Sequence, residues 1–105
     1  MIIVEMNEGQ KIDYEVQNTA TKKKITFDDD LTINLAKREE DWPVHIDVCY
    51  DEDRELVIGT AAGRAYVAQI DIPARRYTPG EDPEDPPVPV PLDLDTVTLS
   101  LWSIE

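Results

Sequence analysis

Cysteine, histidine and phenylalanine each occur once in this chain of 105 residues, and glycine only four times. A single thiol, Cys49, excludes an internal disulfide and any zinc site built from several thiolates. The few glycines form no phosphate-cradling loop, and no Gly-x-Ser-x-Gly elbow presents a nucleophile. No apolar run approaches the ~18 residues that cross a bilayer, and MIIVEMNEGQ has neither the basic nor the apolar region of a signal peptide. With no Asn-x-Ser/Thr acceptor either, we expect a cytoplasmic chain without membrane contact. We also expect it not to be an enzyme, and to use no cofactor.

Positive charge is scarce as well. Residues 1–76 carry sixteen acids and ten bases, whereas residues 77–105 carry seven acids and no base, and the net charge is −13. Clustered Lys and Arg are what hold phosphate, so nucleic acid is an unsuitable partner and an electrostatically chosen one is cationic. Solubility explains the same charge without any partner.

What the chain has in quantity is alternation. In VHIDVCY, Val44, Ile46, Val48 and Tyr50 share one face and His45, Asp47 and Cys49 the other. AYVAQIDI repeats this with Tyr66, Ala68, Ile70 and Ile72 inward, KIDYEV with Ile12, Tyr14 and Val16, and TVTLSLW with Val97, Leu99 and Leu101. Shorter runs occur at Ile2/Val4/Met6, Ile25/Phe27, Leu31/Ile33/Leu35 and Leu56/Ile58. Turn clusters NEGQ, DDD, DED and AAGR separate them by a few residues, which favours antiparallel hairpins. NLAKREED, residues 34–41, is long enough for one helical turn before Pro43. The expected fold is all-β: a single-domain antiparallel two-layer sandwich, or small barrel, of about eight short strands spanning residues 1–105.

Between Ile72 and Val97 lies PGEDPEDPPVPVPLDLD. Pro87, Pro89 and Pro91 are two apart, so in an extended chain their missing N–H donors lie on one edge, while Val88, Val90 and Leu92 keep donors on the other. Residues 87–94 therefore suit an edge strand with one blocked side, with Val88, Val90, Leu92 and Leu94 facing inward. Polyproline II is the alternative, and the Pro-x-x-Pro spacings PEDP and PPVP fit a proline-reading groove only without the usual basic neighbour. The inward set moves to odd positions after Leu94, which implies a bulge or bend near residues 95–96. Residues 78–86 become an exposed acidic loop before the last strand.

Candidate chemistry is sparse. His45, Asp47 and Cys49 share a strand face, but neighbours on such a face stand about 6.5–7 Å apart, too far to close on a small ion. The acidic clusters offer calcium oxygens only if several loops converge. ARRY, residues 74–77, combines the residue types of interface hot spots, although Arg75 and Arg76 can instead pair with the acids of the following loop. KKK at residues 22–24 reads as a solvated strand start. Trp102 follows Leu101 and so faces away from Val97, Leu99 and Leu101, and Trp42 is expected to pack at the entry to the next strand. In composition the chain resembles small acidic β-proteins of phages and other mobile elements, a likeness that attaches to no particular residue.

These features lead to the expectation of an assembly or accessory subunit, of phage or prophage kind, that works through protein–protein contact or self-association. Arg75, Arg76, Tyr77 and Trp102 are its candidate interface residues. A calcium- or carbohydrate-binding module using end loops is one alternative, and an acidic decoy for a nucleic-acid-binding protein is another.

Overall fold

The structure is a computed structural model and describes residues 1–61 and 63–104. Among the described residues there are ten strands: β1 Ile2–Glu5, β2 Tyr14–Asn18, β3 Lys23–Phe27, β4 Leu31–Asn34, β5 Val44–Tyr50, β6 Leu56–Ile58, β7 Ala65–Ile72, β8 Tyr77–Thr78, β9 Val88–Pro89 and β10 Thr98–Leu101. One helical turn, α1 Leu35–Arg38, starts where the Asn34 side chain accepts a hydrogen bond from the Lys37 N–H. The strands form a five-stranded sheet in the order β1-β10-β7-β5-β6, a three-stranded sheet β2-β3-β4 and a two-stranded ribbon β8-β9. Both larger sheets turn apolar faces to one core, where Ile25, Phe27, Ile33 and Leu35 meet Ile46, Val48, Ile70, Ile72, Leu99 and Leu101. The fold is therefore an all-β sandwich with open edges and not a closed barrel.

Low glycine content has a visible consequence in the turns. Asp28 and Asp29 both take positive φ, 54° and 51°, to close the β3–β4 hairpin, and the Asp30 N–H donates to the Phe27 carbonyl at 2.9 Å. Aspartate tolerates the left-handed region because its short side chain satisfies local backbone groups. Acids do the same work elsewhere. Asp51 Oδ1 accepts from the N–H groups of Asp53 and Glu55, and Asp93 caps a 3-10 turn at Leu94–Thr96 by accepting from the Asp95 N–H.

Several expectations need correction. β1 pairs with β10 in parallel, not antiparallel, because the two strands come from distant parts of the chain and no tight turn constrains their direction. In β7 the inward phase fails at Tyr66. Cys49 pairs with Tyr66 and Val48 with Ala68, so Val67 is an extra, bulged residue. The bulge buries Val67 and turns Tyr66, 43% exposed, to the outer face.

The proline segment forms a ladder only at Val88–Pro89, against Tyr77–Thr78, and not over residues 87–94 at a sandwich edge. The Val90 N–H donates to the Arg76 carbonyl at 2.8 Å, on the side opposite to the missing proline donors. The missing donors lie on the unpaired side, and the ladder is short because its partner, Tyr77–Thr78, is itself two residues long. The segment's apolar face is divided accordingly: Val88 is 55% exposed, whereas Leu92 and Leu94 are buried. The phase change before Val97 is accomplished by the 3-10 turn at Leu94–Thr96.

Candidate functional site

Arg75, Arg76 and Tyr77 lie where the chain leaves β7 and enters the β8–β9 ribbon. The expected pairing of Arg75 with the acidic loop is replaced by contacts to the segment between α1 and β5. The Arg75 N–H donates to the Glu40 carbonyl at 2.7 Å, and its guanidinium donates to the Glu39 carbonyl at 2.8 Å and to Asp41 Oδ1 at 3.1 Å. Glu39 Oε1 adds an ion pair at 3.5 Å. Tyr77 donates its hydroxyl to the same Asp41 Oδ1. A planar guanidinium with several simultaneous acceptors is fixed in orientation, so Arg75 clamps residues 39–41 to the base of the ribbon.

This clamp presents Trp42. Its side chain does not pack at the entry to β5: Trp42 is 61% exposed, next to Asp41 in sequence, with Tyr77 45% and Val88 55% exposed on the ribbon. Beside the clamp runs a groove of about 330 Å³ lined by Lys23, Ala36, Glu39, Arg75, Pro89 and Pro91, among others. The alternating strand pattern does not mark Asp41 or Glu39, and it marks Trp42 only as a packing residue, which its 61% exposure corrects. The one signal available was an aromatic outside every alternating run, held before a proline.

No family model matches this chain, and no curated protein or solved structure matches it.

Trp102 belongs to a different surface, the outer face of the five-stranded sheet. It is half-buried, its ring stacks on Tyr66 with centroids 5.8 Å apart, and its indole N–H donates to Gln69 Oε1 at 3.0 Å. Gln69 in turn donates to Asp47 Oδ1 at 3.0 Å. His45 lies between two carboxylates, Nδ1 at 2.6 Å from Asp71 and Nε2 at 2.8 Å from Asp47. Trp102 is thus the end of a side-chain network, and the structure separates it from Arg75, Arg76 and Tyr77.

The network explains the local titration. Hydrogen bonds to Asp71 and then Asp47 hold His45 above its ordinary pKa, against a smaller opposing effect of burial. The Gln69 hydrogen bond, more than His45, holds Asp47 below the usual carboxylate range. Burial, with the Asp47 charge second, pushes the Cys49 thiol up, away from the thiolate that nucleophilic or metal chemistry needs. Both ring nitrogens of His45 are engaged, so an ion bound there would have to break an existing contact. Among the described residues no three His, Cys, Asp or Glu side chains are grouped to hold a metal.

A histidine raised in the folded state contributes stability below its unfolded pKa of about 6.5 and loses that contribution as pH rises through the folded value. The melting-temperature difference between the native chain and His45→Gln is therefore expected to favour the native chain near pH ~6 and to shrink by pH ~8. Equal differences at both pH values would show that His45 does not titrate against these carboxylates.

Proposed function

We propose that this chain is a non-catalytic β-sandwich that works by protein–protein contact, as an assembly or accessory subunit of the phage or prophage kind, with Trp42 as the anchor. The observation that supports this is the exposure of Trp42 beside side chains already fixed by hydrogen bonds. Trp, Tyr and Arg dominate interface energetics, and an anchor whose surroundings are ordered beforehand loses little entropy on binding. The partner that suits the patch has an apolar pocket for the indole and a basic rim, because the acidic loop at residues 78–86 joins the same two ribbon strands.

The proposal is tested by immobilising the native chain and its Trp42→Ala and Tyr77→Ala variants and comparing what each retains from an extract of its host. A hot-spot anchor contributes about 2 kcal/mol or more, so Trp42→Ala is expected to weaken the retained complex by roughly 30-fold while melting with the native chain. A partner held equally by all three proteins would place the contact elsewhere.

A further inference from the structure

One outer edge of the five-stranded sheet is β1, protected only by its shortness and by a single charge, Glu5. It has no proline, lysine or bulge, and Ile2, Ile3, Val4 and the following Met6 are 52%, 42%, 40% and 44% exposed. The N–H groups of Ile2 and Met6 donate to Val97 and Leu101 of the β10 side, each at 2.8 Å. Even-numbered residues therefore point their backbone groups inward to the sheet, and Ile3 and Glu5 point theirs to the open side.

We propose that this edge pairs with the β1 edge of a second copy, antiparallel about a two-fold axis at Val4, to make one continuous ten-stranded sheet. In that register Ile3 and Glu5 of each copy exchange backbone hydrogen bonds with Glu5 and Ile3 of the other. On the outer face Ile2 meets Met6 and Val4 meets Val4, which joins six apolar side chains into one seam. Each Glu5 faces an isoleucine and not the other Glu5. An axis at Glu5 would oppose two like charges, and an axis at Ile3 would leave Met6 without an apolar partner.

Low local charge also favours a second copy at this edge, and four exposed apolar side chains set it apart from the opposite edge, β6, which is likewise uncharged but three residues long. The chain carries −13, yet Met1 to Val4 has no charged side chain and Glu5 is the single acid of β1, so this is where two acidic copies can approach. A cationic partner would find little to recognise here. Edge pairing of this length lies at the small end of interfaces, below about 1,200 Å², so the dimer is weak and concentration-dependent. Because the copies repel at long range, salt strengthens it, the opposite of binding to a cationic partner. The inference does not rest on the Trp42 patch, and either can fail alone.

Sedimentation velocity of the full chain over a concentration series tests the proposal. The native chain is expected to shift from monomer to dimer, and to shift further when ionic strength rises from ~0.01 M to ~0.15 M, where the screening length falls from about 30 to about 8 Å. Val4→Lys, which places two like charges across the axis at a half-exposed position, is expected to weaken dimerisation at least tenfold. Val4→Cys is expected to give a reductant-sensitive covalent dimer under oxidation, since residues facing each other across such an axis come within disulfide reach. The native chain is expected to give none, because Cys49 is buried. A monomer at all concentrations with Val4→Cys unlinked would overturn the proposal. So would a dimer indifferent to Val4→Lys, or one that salt dissociates.

Discussion

Phe27→Ala is expected to destabilise the fold by about 3–5 kcal/mol, the range for removing a fully buried aromatic ring. Phe27 is the only phenylalanine and has no solvent exposure. It sits at the end of β3, paired with Tyr14 and Leu31, immediately before the strained Asp28–Asp29 turn, and it belongs to the core shared by both sheets. Such a loss is a large part of the ~5–15 kcal/mol typical of a domain, at roughly 4–8 °C of melting temperature per kcal/mol. Chemical denaturation measures it. Val16→Ala, on the exposed strand β2, is the control and is expected to change stability by less than about 0.5 kcal/mol. A Phe27→Ala variant as stable as that control would mean that the two sheets do not share this core.

Trp102→Ala is expected to cost about 2–4 kcal/mol of stability, combining lost burial, lost stacking on Tyr66 and the Gln69 carbonyl left without its donor. Trp102→Phe keeps most of the stacking and removes the hydrogen bond, so it should recover about half of that loss. The comparison with Trp42 makes the measurement informative. Trp42→Ala changes little in the folded chain because the ring is 61% exposed, and its effect belongs in partner binding. If Trp102→Ala melts with the native chain while Trp42→Ala does not, the assignment of one tryptophan to structure and the other to binding is reversed.

Alternation of apolar and polar residues identified most strands, since a side-chain period of two follows from strand geometry whatever the partner. Ile46, Val48, Ile70, Ile72, Leu99 and Leu101 were placed inward by that rule and are buried. The rule failed at Tyr66, where one bulged residue inverts the phase and nothing local to AYVAQIDI marks it. It also overextended the proline strand, because proline spacing states which edge can bond but not how many residues a neighbour will reach.

The candidate interface was legible only in part. ARRY combines Arg and Tyr in the sequence itself, but the acids nearest to it along the chain, those of the following loop, are not the ones that Arg75 meets. Tertiary structure brings Glu39, Glu40 and Asp41 to Arg75 across more than thirty residues, and that arrangement exposes Trp42.

By itself, then, the sequence determined the class of fold, the surface charge and the inward residues Ile46, Val48, Ile70, Ile72, Leu99 and Leu101 of the central strands. It did not determine those of β1, with the following Met6, and of β2, where Ile2, Val4, Met6 and Val16 are exposed, because periodicity and net charge are local or additive properties whereas burial needs a covering neighbour. Only the tertiary structure decided the rest. It paired β1 with β10, separated Trp102 from Arg75, and left Trp42 and the β1 edge open, because those depend on which distant segments compete for the same hydrogen bonds and apolar surface.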